Sequence, residues 1–157
     1  MLKVLIADDH AIVRKGLKEI LRERPEPIEI GEAGDGQSVL NMVDQDGWDI
    51  LVLDISMPRL NGLEVLRRIK LKRPDLPVLM LSMHSAAMYI QQSLKLGASG
   101  YLSKESAPEE LLEAIDAARG GRIYISHALE RELGRGSSGG TGGSAAAGRS
   151  WLHHPLS

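Results

Sequence analysis

The sequence predicts an α/β fold: a doubly wound sheet of five parallel strands in the order 2-1-3-4-5, with helices on both faces. Three observations carry that prediction. Short runs such as Leu51-Val52-Leu53 and Val78-Leu79-Met80-Leu81 are apolar throughout, the pattern of strands buried on both faces. Between such runs lie segments whose apolar residues recur at helical spacing, so that strand and helix alternate five times. Right-handed crossovers leave few arrangements for five βα units, and 2-1-3-4-5 is a common one.

The first strand is Leu2 to Ala7, ending at the acidic pair Asp8-Asp9. Residues 11 to 24 place Val13, Leu17, Ile20 and Leu21 on one helical face, and Pro25 closes that helix. Ile28 to Ala33 is a more polar strand, expected near the sheet edge. Asp35 can cap a helix over 36 to 45 whose inner face is Val39, Leu40 and Val43. The third strand, Asp49 to Asp54, ends in an acid, and Pro58 soon shuts off regular continuation.

Asn61-Gly62 then turns the chain into a helix carrying Leu63, Leu66 and Ile69, stopped by Pro74 and Pro77. Val78 to Ser82 is a fourth strand, and Ser85 can cap a weaker helix over 86 to 96 that Gly97 ends in a left-handed conformation. Gly100 to Ser103 is a short fifth strand running into Lys104. Ser106-Ala107-Pro108-Glu109 has the pattern of a capping box and opens a helix with Leu111, Leu112, Ile115 and Ala118 inward.

Composition bounds the function. The 157 residues suffice for one domain with an appendage, and a net charge of −2 gives no global pull toward nucleic acid or anionic membranes. The absence of cysteine removes disulfides, thiolate metal sites and thiol catalysis, and fits a cytoplasmic protein. No apolar run reaches the roughly 18 residues of a membrane span and no signal peptide opens the chain, so no membrane partner is expected. Phe is absent, so the core must be aliphatic.

In the order 2-1-3-4-5, strands 1 and 3 flank the switch point where open α/β sheets bind ligands beyond the carboxyl ends of their strands. Asp8, Asp9 and Asp54 meet there. Singly each reads as a cap or turn residue. Together they would repel at neutral pH unless a cation neutralises them or one takes up a proton. With no His or Cys among them, these all-oxygen ligands suit Mg²⁺ or Mn²⁺, which leave room for a phosphate oxygen. Ser82 and Lys104 end the fourth and fifth strands at the same rim, a hydroxyl and an ammonium able to cradle a tetrahedral anion.

Asp8-Asp9, Asp54 with Met57-Pro58, Ser82, and Gly97 through Lys104 together closely resemble the receiver domain of bacterial response regulators, a flavodoxin-like (βα)5 fold, over about residues 1–120. Ile6-Ala7-Asp8-Asp9-His10, Asp54-Ile55-Ser56-Met57-Pro58, Leu81-Ser82-Met83-His84 and Gly100-Tyr101-Leu102-Ser103-Lys104 look like the subfamily of transcription regulators with a C-terminal helix-turn-helix of the LuxR type. The resemblance implies a phosphoacceptor switch that catalyses its own phosphorylation and dephosphorylation, without being an enzyme in the ordinary sense. Asp54 would take a phosphoryl group from a phosphohistidine on a sensor histidine kinase.

In that scheme Mg²⁺ is held by Asp9, Asp54 and the backbone carbonyl of Ser56, with Asp8 helping directly or through water. Lys104 pairs with a phosphate oxygen, Ser82 moves toward another, and Tyr101 swings inward into the space this leaves. Ser56 and His84 overlook the phosphoryl group and tune its hydrolysis. The resemblance also implies a phosphorylation-dependent homodimer, and contact with DNA only through a C-terminal domain for which these residues have no counterpart. Many receivers carry Pro after the lysine, with a cis peptide before it. Glu105 stands here instead, which leaves the isomer of that bond open.

Residues 121–133 read as the start of an interdomain linker, and 134–157, rich in Gly and Ser, as a disordered tail, either a linker or a cloning remnant. The basic run Arg67, Arg68, Lys70, Lys72 and Arg73 reads as a solvated helix face, and His10 as decoration at the start of the first helix. Two other function classes fit less well. A Mg²⁺-dependent phosphohydrolase of the haloacid-dehalogenase type wants an Asp two residues after its nucleophile, where this chain has Ser56. A receiver-like or flavodoxin-like module that takes no phosphoryl group would not need all of Asp8, Asp9, Asp54, Ser82 and Lys104.

Overall fold

A computed structural model describes residues 1–45, 47–83 and 87–138. The elements run β1 (Leu2–Ala7), α1 (Ala11–Leu21), β2 (Ile28–Ala33), α2 (Gly36–Gln45), β3 (Ile50–Asp54), α3 (Gly62–Lys72), β4 (Val78–Ser82), α4 (Ala87–Lys95), β5 (Gly100–Ser103), α5 (Ala107–Arg119), β6 (Tyr124–Ile125) and α6 (His127–Ser138). The strands pair in parallel in the order β2-β1-β3-β4-β5-β6.

The sheet thus has six strands where five were expected, the order of the first five being as predicted. Tyr124 pairs with Gly100 and Ile125 with Tyr101, so a segment read as linker closes the β5 side of the sheet. Gly100 permits this. A Cβ there would lie 2.4 Å from the carbonyl oxygen of Tyr124, too close for any side chain. The segment 121–133 therefore belongs to the folded unit, and α6 continues through Ser138, into residues first read as tail.

Successive strand residues point to opposite faces, and the core divides accordingly. Val4, Ile6, Ile50, Val52, Leu79, Leu81 and Leu102 pack against Leu17 and Leu21 of α1 and Leu111 and Ile115 of α5. Leu5, Leu51, Leu53, Val78, Met80 and Tyr101 pack on the other face against α2, α3 and α4. Leu129 of α6 joins this second layer, nearly fully buried. Each such aliphatic side chain contributes about 1.5–3 kcal/mol by leaving water.

Helix ends follow local chemistry. Asp35 Oδ1 accepts the Ser38 amide at 2.8 Å and Asn61 Oδ1 accepts the Glu64 amide at 3.0 Å, so both act as N-caps. Helix α1 stops at Leu21 rather than at 24, as Glu23 and Arg24 turn back onto the carbonyls of Ile20 and Leu21 ahead of Pro25. Gly97 takes φ +100°, the left-handed end expected of it. The capping box at Ser106 does not form, because its hydroxyl is engaged by those of Ser103 and Ser126 instead. The expected cap at Ser85 lies outside the described residues.

The basic run on α3 is a solvated face at Arg67, Arg68 and Lys72, whereas Lys70 is half-buried, its ammonium bonded to the Leu76 carbonyl at 2.6 Å and lowered by burial. Arg67 and Arg68 both bond Glu64, holding its carboxyl down to about 2, and Lys72 pairs with Asp44. No helix among the described residues is long and apolar enough to cross a membrane.

Candidate functional site

Neighbouring parallel strands end together, and this brings the acidic residues to one place. Ala7 lies opposite Leu53, so Asp8, one residue past β1, and Asp54, the last of β3, project from adjacent strand ends. Ser82 closes β4 opposite Ser103 of β5, and the Lys104 amide donates to the Ser82 carbonyl at 2.9 Å. Asp8, Asp54 and Ser82 are fully buried, and the Lys104 side chain is only 4 % exposed.

Lys104 Nζ donates to Asp54 Oδ2 at 2.9 Å and stands 2.8 Å from Asp8 Oδ2. The second contact is an ion pair off hydrogen-bond alignment, so Asp8 Oδ2 keeps an acceptor lobe without a directed donor. Asp54 Oδ1 accepts the Ser56 amide at 3.0 Å, which folds the turn after β3 back over the carboxylate. Burial pushes the Asp54 carboxyl up, and the charge of Asp8 adds to this against the opposing bonds from Ser56 and Lys104. For Lys104 burial acts to lower the ammonium, but the carboxylates of Asp8 and Asp54 against it outweigh this and leave it raised.

Carboxylate oxygens of Asp8, Asp9 and Asp54 and a ring nitrogen of His10 all lie within 4.8 Å of one another. The three carboxylates bring three negative charges and Lys104 one positive, so the cluster is short of cationic charge. Together with the unaligned lobe of Asp8 Oδ2, this donor set fits a hard divalent cation.

His10 corrects the expectation of an all-oxygen surround. Its amide donates to Asp8 Oδ1 at 2.7 Å, and its Nδ1 lies 3.0 Å from that oxygen, 3.2 Å from Asp9 Oδ1 and 3.2 Å from Lys104 Nζ. The imidazole is therefore part of the site, not decoration. Arg14 also enters, donating from Nη1 to the Asp8 carbonyl and from Nε to Glu32 at 3.0 Å.

Tyr101 is fully buried in the layer beneath α4, with its hydroxyl close enough to feel Ser82 but without hydrogen-bond geometry to any described group. Burial pushes that hydroxyl up, with Ser82 opposing. The described backbone has no cis peptide, so Lys104–Glu105 is trans. His84 lies outside the described residues.

Residues 4–116 match the family described as the response regulator receiver domain. The transcriptional regulatory protein DegU of Brevibacillus brevis is 37% identical over 138 residues, covering 85% of this chain and 58% of that protein. The response regulator UvrY of Escherichia coli is 33% identical over 133 residues, covering 85% and 61%. The chain thus spans about three fifths of the length of these relatives.

Among solved structures, a two-component response regulator of the LuxR family from Aurantimonas superposes with a TM-score of 0.79 at 31% identity, covering 85% of this chain and 96% of that one. The isolated receiver domain of RcsB from Salmonella enterica, in the presence of phosphomimetic BeF3⁻, superposes with a TM-score of 0.77 at 29% identity, covering 84% and 98%. With the buried Asp54, its lysine and the flanking acids in place on this sheet, the chain belongs to the response regulator receiver domain family of two-component systems, and its relatives include transcriptional regulatory proteins and a response regulator of the LuxR family.

Proposed function

We propose that Asp54 accepts a phosphoryl group from a phosphohistidine of a sensor histidine kinase, in a reaction that needs Mg²⁺ or Mn²⁺. The carrying observation is the rigid placement of a buried carboxylate 2.9 Å from the Lys104 ammonium, beside Asp8 and Asp9. A carboxylate oxygen of Asp54 bonds to phosphorus as the phosphorus–nitrogen bond breaks, and the departing imidazole keeps the electron pair and takes up a proton. Asp9, Asp54 and the Ser56 carbonyl, with Asp8 directly or through water, would hold the cation, which would supply the positive charge that phosphoryl transfer requires. Lys104, already at the rim, follows a phosphate oxygen. Ser56 and His84 flank the acyl phosphate and tune its hydrolysis.

Ser82 and Tyr101 form the switch. Burial of the Tyr101 ring in the layer beneath α4 supports this reading, phosphorylation then stabilising its inward placement. The added charge of about −1.5 to −2 acts on Ser82 and Lys104 and through them on α4 and β5. To move such an equilibrium from 1:99 to 99:1, phosphate must favour the active form by about 5.5 kcal/mol. The output is transcriptional, through a DNA-binding domain outside this chain and a homodimer formed on phosphorylation. One structure related to this chain shows two RcsB dimers bound to two parallel DNAs.

Incubation with Mg²⁺ and acetyl phosphate is expected to add one phosphoryl mass to the parent and none to Asp54→Asn. Beryllofluoride is expected to move the parent from monomer to dimer in sedimentation. Equal labelling of the Asn variant would overturn the assignment, and steady turnover of assorted phosphomonoesters would favour a hydrolase.

A further inference from the structure

The sixth strand and α6 make a contact with the phosphoryl site that the receiver reading does not use. Ser126, fully buried between β6 and α6, donates its amide to the Tyr101 carbonyl at 3.0 Å. Its Oγ accepts the amide of Ser103 at 3.1 Å and lies 3.2 Å from Ser106 Oγ. Ser106 in turn donates its amide to Ser103 Oγ at 3.1 Å. The backbone at Ser103 and Lys104 is therefore pinned from both sides, by the Ser82 carbonyl of β4 and by the Ser126 hydroxyl.

On its other side Ser126 opens α6. Its carbonyl accepts the amides of Leu129 and Glu130, both at 2.9 Å, and Leu129 is buried in the layer that holds Tyr101. Glu110 of α5 makes a second tie, its Oε2 accepting the His127 amide at 3.3 Å. One buried serine thus touches the residue before Lys104, the backbone of Tyr101 and the first turn of α6.

We propose that Ser126 is a positioning residue for Lys104 and the junction through which the phosphoryl site and α6 sense one another. The proposal rests on the phosphoacceptor reading of Asp54. A shift of Lys104 toward a phosphoryl oxygen that its backbone follows moves the Ser103 amide, and the Ser126 hydroxyl either follows, turning the first residues of α6, or loses its bond. Equilibrium coupling is reciprocal, so docking of α6 changes the affinity of Asp54 for a phosphoryl mimic by the same factor. This path runs along β5, β6 and α6, and Glu110 ties it to α5 as well.

The full chain is titrated with beryllofluoride and Mg²⁺, following occupancy of Asp54 by fluorine resonance and hydrogen exchange at the Leu129 and Glu130 amides. In the parent, occupancy is expected to change the exchange of both amides severalfold. Ser126→Ala is expected to bind with a severalfold higher half-saturation and to lose the exchange response, and Ser126→Thr, which keeps the hydroxyl, to regain both. Should Ser126→Ala not fold, Leu129→Ala undocks α6 with the hydroxyls in place and is expected to raise the half-saturation likewise. Binding by the parent without any response in α6, or an unaltered response in Ser126→Ala, overturns the coupling alone. Failure of the parent to bind overturns the phosphoacceptor reading, and the coupling with it.

Discussion

Burial disfavours the charged form of both Asp54 and Lys104, and the two answer it differently. In Asp54 burial prevails, reinforced by Asp8, and the carboxyl is raised above its ordinary 3.8. In Lys104 the two carboxylates prevail over burial and the ammonium is raised above its ordinary 10.5. A carboxyl raised on folding binds more protons folded than unfolded, so its effect is a loss of stability as pH rises from 3.8 through the raised value, constant thereafter. The lysine has the opposite sign: its contribution is whole below 10.5 and is lost only as pH climbs through the raised value.

Asp54→Asn, which removes a buried carboxylate whose charged form burial disfavours, is therefore expected to be more stable than the parent near neutral pH. The amide oxygen still accepts from Lys104. Urea unfolding with a lower midpoint for the variant would refute this, and the gap is expected to close in acid near the ordinary carboxyl range. Asp8, Asp9, Asp54, Ser82 and Lys104 were legible because each ends or follows a strand-like run, and strand order alone gathers such residues. His10 was not. It follows the acidic pair but ends no strand-like run, and the bond from its amide to Asp8 Oδ1 brings the ring over the carboxylates.

The meeting of β3 with α3 shows how an element's start is fixed by the strand it leaves. A Cβ on Gly62 would lie 2.5 Å from Ile55 Cα and 2.6 Å from the Asp54 carbonyl oxygen, both backbone atoms, and the Gly62 amide bonds the Ile55 carbonyl at 3.0 Å. Gly62→Ala must push α3 away or displace Asp54. It is expected to cost about 1–3 kcal/mol, as overpacking does, and to weaken beryllofluoride retention, read from the urea midpoint and from fluorine resonance. Unchanged retention would show that α3 yields instead. The first five strands and five helices announced themselves by period and by caps such as Asp35. β6 did not, being two residues long and held in place by Gly100. α6 left a fainter trace, Leu129 and Leu133 one turn apart after Ser126, obscured by Gly134 and Gly136.

At the scale of the molecule, the sheet has two margins, β2 and β6, and they differ. β2 is partly polar, and Lys18 and Arg14 of α1 pair with its Glu32, so charge lies along that margin. On the other side, β5 carries the buried run Gly100-Tyr101-Leu102, and what covers it is the two-residue β6 followed by α6. The family match ends at residue 116, and the sequence alone suggested a domain ending at 120, just short of that cover. A strand edge left bare is a template for another chain. A protein cut after Gly120 is expected to phosphorylate poorly and to self-associate through β5, seen as concentration-dependent light scattering that the full chain lacks. A monodisperse fragment would count against this. The segment just past the family match would then serve as a guard strand, keeping receivers from stacking edge to edge before any signal arrives.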